Sequence, residues 1–205
     1  SDVLWIPPQN IDTRLFGPRY IKLREECPQV DRKCYRLLGV PQQTRGEFYS
    51  KQVIPALQGN SDIRYAEILN NVDFVDKVAL DILRDLRNLE KDCSGFLELL
   101  KDSKIVRAGN GILHKPCDLY DPSVKHLSGV LPPKLFPSHG IFDDSSTLAA
   151  LRTLGLRTNI DAAGILLTAE CIHEDFIELM KNRDPENTDK EVILEDLIRR
   201  ALSLV

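Results

Sequence analysis

Aromatic side chains are scarce in this sequence: one Trp, five Tyr and seven Phe make up 6% of 205 residues, and there is one Met. Burial must therefore rest on Leu, Ile and Val, in a chain whose 42% hydrophobic and 28% charged content is ordinary for a globular fold. No apolar run approaches the ~20 residues that cross a bilayer, so no membrane span is expected. An excess of positive charge is missing too. The net charge is −4, with residues 1–60 at +3, 61–102 at −4 and 103–205 at −3. That is well short of a nucleic-acid surface, and nucleic acid is not expected as a partner. The five cysteines, at 27, 34, 93, 117 and 171, are odd in number and irregular in spacing. The chain is also too long for a disulfide-stapled miniprotein, so reduced thiols and a cytoplasmic location are expected. The chain opens on Ser1-Asp2 with no Met and no basic-plus-apolar leader, and reads as an internal fragment of a larger protein.

Motifs that carry chemistry are also missing. Gly109-Asn110-Gly111 lacks the Lys and Ser/Thr of a phosphate loop and is followed by a strand-like run, so it reads as a turn. His114-x-x-Cys117 and Cys171-x-His173 offer two soft ligands each, and residues 171 and 173 do not share a helical face, which argues against zinc. Ser138-His139 lies in no G-x-S-x-G elbow. Asp143-Asp144-Ser145-Ser146 is shorter than a calcium loop and precedes an apolar helix, so N-capping explains it. Cys34 and Cys171 fall on apolar stripes and are expected to be buried and inert. Asp81 and Asp85, one turn apart beside Arg84 and Arg87, read as a solvated helix face. No catalytic residue, cofactor or metal is expected.

What is present is helix. Pro7-Pro8 and Gly17-Pro18 keep 1–20 extended, with Trp5 and Phe16 pinning this arm. Two short helical patterns follow before Gly39, the second running from Pro28 with Val30, Cys34, Leu37 and Leu38 as its apolar stripe. Thr44 and Glu47 form a capping box for a helix through Leu57, which Pro55 ends or kinks. Ser61 caps a turn through Leu69. From Asp73 the longest pattern buries Phe74, Val75, Val78, Ala79, Ile82, Leu86 and Leu89, and Phe96–Leu100 adds a turn. Asp161 caps a helix whose inward side is predicted to be Ile165, Leu166, Ala169, Ile172, Phe176, Leu179 and Met180. After a polar linker, Thr188 and Glu191 box the last helix, with Val192, Ile193, Leu197, Ile198 and Leu202 on its stripe. The expected fold is mainly α, about eight to ten helices, with a β-hairpin near 104–114. A helical subregion 1–103 and a hairpin-plus-helices region 104–205 are expected to form one compact unit.

The stretch from Lys104 to Leu156 organises the rest. Ile105–Ala108 and Ile112–His114 flank the Gly turn as a hairpin. Then come Pro116-Cys117-Asp118-Leu119-Tyr120-Asp121-Pro122, Phe136-Pro137-Ser138, and Leu151-Arg152-Thr153-Leu154-Gly155-Leu156-Arg157-Thr158. Over about 104–175 this order resembles the internal repeat of the sacsin family. There a P-x-x-L-Y-D-P phrase follows a short hairpin and an L-R-x-L-G-L-K/R-T phrase leads into a helix. Over 1–103 the resemblance rests on Trp5-Ile6-Pro7 and the helical texture. Locally, Asp121-Pro122 initiates a turn anchored by Leu119 and Tyr120, and Gly155 is a C-cap.

The resemblance implies a giant cytosolic co-chaperone built from large repeats. In that family each repeat starts with an ATPase-like module of the GHKL class, and other domains of the parent recruit heat-shock chaperone machinery. This chain carries no acidic–Asn nucleotide motif, no D-x-G-x-G and no His-Pro-Asp, so no catalytic residue carries over. The expected role is a non-enzymatic scaffold or protein-interaction segment in protein quality control, with protein clients or neighbouring modules of the same chain as partners. Candidate contact residues are Leu131, Leu135, Phe136, Ile141 and Phe142, in a proline-punctuated loop that either tucks into the body or stays available to a partner. Tucking in is favoured because soluble proteins rarely leave such patches bare. The alternatives are a nucleotide- or ligand-binding regulatory domain or enzyme with an unrecognised site, and a purely structural spacer.

Overall fold

Two compact units, 1–105 and 106–205, make up the chain in the computed structural model, which describes residues 3–59, 70–181 and 189–202. The described residues are mainly helical, with one two-stranded antiparallel hairpin. The turn predicted from Ser61 and the capping box at Thr188 lie outside the described residues.

In the first unit the N-terminal arm is extended, apart from a 3₁₀ turn at Thr13–Leu15, and is held by backbone pairing. Trp5 N–H donates to the Arg19 carbonyl (2.8 Å), Ile21 N–H to the Trp5 carbonyl (3.0 Å) and Ile6 N–H to the Pro41 carbonyl (2.9 Å). Ile6 is fully buried and Trp5 half-buried, so Ile6 is the deeper anchor. Phe16 joins Tyr20 and Phe48 in an aromatic cluster with ring centroids 5.1–5.5 Å apart. One helix, not two, lies between Pro18 and Gly39: α1, Pro28–Leu37.

The capping box forms as its spacing predicts. Thr44 Oγ1 accepts from Glu47 N–H (3.2 Å) while the Glu47 carboxylate accepts from Thr44 N–H (3.1 Å), opening α2, Arg45–Phe48. A π-helical turn over Tyr49–Val53 then leads into α3, Ile54–Leu57. Pro55 explains it. Its nitrogen carries no hydrogen for the carbonyl four residues back and its ring crowds that carbonyl, so the chain widens there rather than breaking.

α4 (Val72–Arg84) starts earlier than Asp73, with Asn71 Oδ1 accepting from Phe74 N–H (2.9 Å) as the true N-cap. Its predicted stripe is buried from Phe74 to Ile82 and continues through Leu86 and Leu89 of α5, Leu86–Asp92. Glu90 does more than face solvent. Its carboxylate accepts from Gly95 N–H (3.2 Å) and Leu97 N–H (2.7 Å), capping α6, Phe96–Lys101.

The second unit opens on the hairpin, β1 (Val106–Arg107) with β2 (Leu113–His114), pairing Val106 with His114 and Arg107 with Leu113. Gly111 takes the left-handed conformation of the turn (φ +79°). Gly109 serves a different need: a Cβ there would stand 2.5 Å from the Pro133 carbonyl oxygen. α7 (Lys125–Ser128), a 3₁₀ turn (Pro133–Leu135) and α8 (Ser145–Thr153) follow. Asp144 caps α8, accepting from Ser146 and Thr147 N–H at 3.1 and 2.9 Å. The longest helix among the described residues is α9, Ala162–Lys181, rather than the pattern at Asp73, and α10 (Asp189–Leu202) packs on it. No described helix is long and apolar enough to cross a membrane.

Candidate functional site

The residues that carry the sequence resemblance meet in space as a structural hub of the second unit. Asp121 N–H donates to the Arg157 carbonyl (2.9 Å) and Arg157 N–H to the Leu119 carbonyl (3.0 Å), so the two phrases pair as a short parallel bridge. Tyr120 hydroxyl donates to Asp161 Oδ1 (2.7 Å) and accepts from Arg157 (3.2 Å), whose guanidinium also reaches Asp161 Oδ2 (2.8 Å) and the Cys117 carbonyl (2.5 Å). Asp121 is completely buried. Burial pushes its carboxyl up, but Arg152 at 2.5 Å and the hydroxyl and backbone N–H of Ser123 outweigh that and hold it below the usual carboxylate range. Burial raises the Tyr120 hydroxyl above its ordinary value. Gly155 (φ +103°) ends α8 in a Schellman turn, with Leu156 N–H reaching the Leu151 carbonyl (2.9 Å) and Gly155 N–H the Arg152 carbonyl (3.1 Å). Leu119, Leu151, Leu154 and Leu156 are buried around it. Tyr120, Asp121, Arg152, Arg157 and Asp161 are all tied by side-chain hydrogen bonds within the hub, as in a structural brace.

The 131–142 loop is tucked in. Leu131, Leu135 and Phe136 pack with Tyr120 and Leu127, Phe142 is fully buried, and Ile141 is half-buried. A cleft of about 480 Å³ opens beside this segment, lined by Gly109, Pro122, Leu131, Pro133, Phe136 and His139. Its polar groups are engaged elsewhere. Ser138 Oγ donates to the Ala108 carbonyl (2.8 Å), and Asp143 holds His139 (2.8 Å) and Gly140 N–H (2.9 Å). Serine and histidine therefore do not face each other as nucleophile and base. Among the described residues no three His, Cys, Asp or Glu side chains gather at metal-binding distance.

Three helices, α1, α9 and α10, depart from the sequence expectation, and each leaves apolar side chains in solvent. On α1 the stripe Val30, Cys34, Leu37 and Leu38 points outward, with Leu37 80% and Leu38 77% exposed, while Asp31 and Arg32 are buried. The inward face is held by polar bonds. Arg24 grips Asp31 through two nitrogens (2.6 and 3.0 Å), keeping that carboxyl below its usual range, and Arg32 donates to the carbonyls of Pro7 and Pro8. Cys34 is thus exposed, not buried, whereas Cys171 is buried.

On α9 the buried side is Gly164, Thr168 and Cys171, not the predicted large-residue stripe. The hub explains this. Asp161 Oδ1 accepts from Gly164 N–H (2.8 Å) as well as from Tyr120, so the helix is seated with its small side against the Tyr120 ring. Ile165, Leu166, Phe176 and Met180 are left outward, with Leu166 64% and Met180 54% exposed. On α10 Leu197 is buried, while Val192, Ile193, Ile198 and Leu202 of its predicted stripe are exposed. Small residues at i, i+4 and i+7 were the sequence signal for the seat of α9, hidden because larger apolar residues outbid them in any hydrophobicity pattern. Comparison of the chain with protein-family models, curated proteins and solved structures gave no match.

Proposed function

We propose that this chain is a non-enzymatic scaffold and protein-interaction segment of a sacsin-like co-chaperone. The observation that carries the reading is the outward apolar face of α9. A solvated helix ordinarily turns its large apolar side chains inward, and contiguous apolar surface left in water marks an interaction site. The braced hub supports the same role, since it fixes the seat of that helix, and the order of the two phrases supports the family. The contact residues are then Ile165, Leu166, Phe176 and Met180, in place of the largely tucked-in residues of the 131–142 loop. A cytoplasmic setting and protein clients follow from this reading.

Aggregation suppression tests it: a heat-unfolding client is followed by light scattering with and without the 205-residue chain. Suppression is expected from the wild type and is expected to be lost in the Ile165→Ser/Phe176→Ser variant, whose positions are partly exposed on the outward face. Equal suppression by both, or none by either, would remove α9 as a client surface.

A ligand-binding role draws on the cleft beside Phe136, which has the volume of a small-molecule site. A thermal-shift screen of nucleotides and metabolites tests it: a ligand present at a hundred times its Kd stabilises the folded chain by about 2.7 kcal/mol.

A further inference from the structure

The outward faces of α1 and α9 are apolar alike and differ in the charge along their edges. On α1 the stripe occupies i, i+4, i+7 and i+8, and its exposed edge is basic: Lys33 and Arg36 stand there, while Asp31, the only acid on the helix, is turned inward to Arg24. Glu25 and Glu26 precede the helix. On α9 the exposed edge is acidic, with Glu170, Glu174 and Glu178 at i, i+4 and i+8 beside Leu166 and Ile177. Asp175 is taken up by Arg200 (3.8 Å), Lys134 lies near Glu174, and Lys181 closes the helix.

We infer that α1 of one copy of this chain docks on α9 of a second copy, apolar stripe against apolar face and Lys33/Arg36 against the Glu170–Glu174 edge. This rests on the reading of α9 as a docking face and names its occupant. An apolar helix edged with base is the partner that α9 fits, and α1 is such a helix, with its apolar side already turned out. Pairing α9 with itself in antiparallel sense sets one glutamate row against the other, which like charge opposes. An anionic membrane surface is opposed by the same row. The contact joins two different patches, so each copy can both give an α1 and receive one, in a reciprocal pair, a ring or a head-to-tail chain. One helix on another buries less than the roughly 1,200 Å² of a stable complex, which makes it a weak, reversible association.

Sedimentation velocity over a concentration series of the full chain tests it. The wild type is expected to sediment faster than a monomer as concentration rises. Leu37→Asp, which spoils the α1 stripe, and Phe176→Asp, which spoils the α9 face, are each expected to sediment as monomers. Mixed together they are expected to form a 1:1 dimer and nothing larger, because only the α9 of the first and the α1 of the second remain intact. Lys33→Glu is expected to weaken wild-type association by about tenfold or more, and mixing it with Glu174→Lys is expected to recover that loss. Both positions are exposed, so this charge pair serves if either Asp variant fails to fold. A wild type that stays monomeric, association that survives Leu37→Asp, or a mixture that grows past 1:1 would each overturn the inference. Suppression of client aggregation without self-association leaves the client surface standing and removes only its second-copy occupant. Self-association without suppression does the reverse.

Discussion

Position 164 shows how little room a single residue leaves in this chain. A Cβ there would overlap the Tyr120 hydroxyl, which is committed to Asp161 and Arg157 and cannot swing away without breaking both bonds. Gly164→Ala is therefore expected to destabilise the second unit by about 1–3 kcal/mol, although alanine is the better helix former. The urea midpoint read by far-UV circular dichroism checks it, and an unchanged midpoint would mean that α9 is seated otherwise. Asp121 sets a pH dependence. Its folded carboxyl lies below the usual value, so its contribution is complete above the unfolded value of about 3.9 and is lost as pH falls through the folded one. Asp12, held at about 2 chiefly by its hydrogen bonds from Arg14, acts in the same direction in the first unit. The urea midpoint is expected to hold between neutral pH and about pH 5 and to fall below about pH 4. Asp121→Asn should start lower at neutral pH and fall less, and a fall equal to that of the wild type would show that its ionisation is not linked to folding.

Among the elements, the short helices of the first unit depend on their ends. Thr44→Ala removes both the acceptor for Glu47 N–H and the hydroxyl that faces the Glu47 carboxylate, and is expected to cost about 1 kcal/mol by urea denaturation. α1 and α4 make a contrast, because similar apolar spacing has opposite energetics in the two. Ile82 is fully buried on α4, and Ile82→Ala should cost about 2–5 kcal/mol. Leu37→Lys and Leu38→Lys on α1 should stay within about 0.5 kcal/mol of the wild type, since neither side chain leaves water on folding. A large loss from the α1 changes would show that its stripe is covered in the folded chain. The capping box at Thr44 and the α4 stripe were legible because their signals are local: an oxygen three residues from the N–H it accepts, or apolar side chains one turn apart. The inversion of α1 was not, because it rests on Arg24 reaching Asp31 and on Arg32 reaching the carbonyls of Pro7 and Pro8, bonds that span 7 to 25 residues.

At the scale of the whole molecule, the two compact units predict separable unfolding. Trp5, the only tryptophan, lies in the first unit, so its fluorescence reports that unit while circular dichroism reports both. Leu100→Ala is expected to shift the fluorescence transition. Leu151→Ala is expected to leave it in place while shifting the circular dichroism transition, each change costing its own unit about 2–5 kcal/mol. Identical shifts of both signals by either variant would mean that the chain unfolds as one cooperative body.

The sequence by itself determined the helical class, the hairpin at the Gly109–Gly111 turn, the caps at Thr44 and Asp144, and the core stripe from Phe74 to Leu89. These follow from hydrogen-bond reach and side-chain periodicity within a few residues of chain. Only the tertiary structure decided which side of α1 and α9 faces water. Periodicity defines an apolar face without saying where it points, and here that direction is set by distant polar partners: Arg24 for Asp31, and the Tyr120–Asp161 pair for the small face at Gly164.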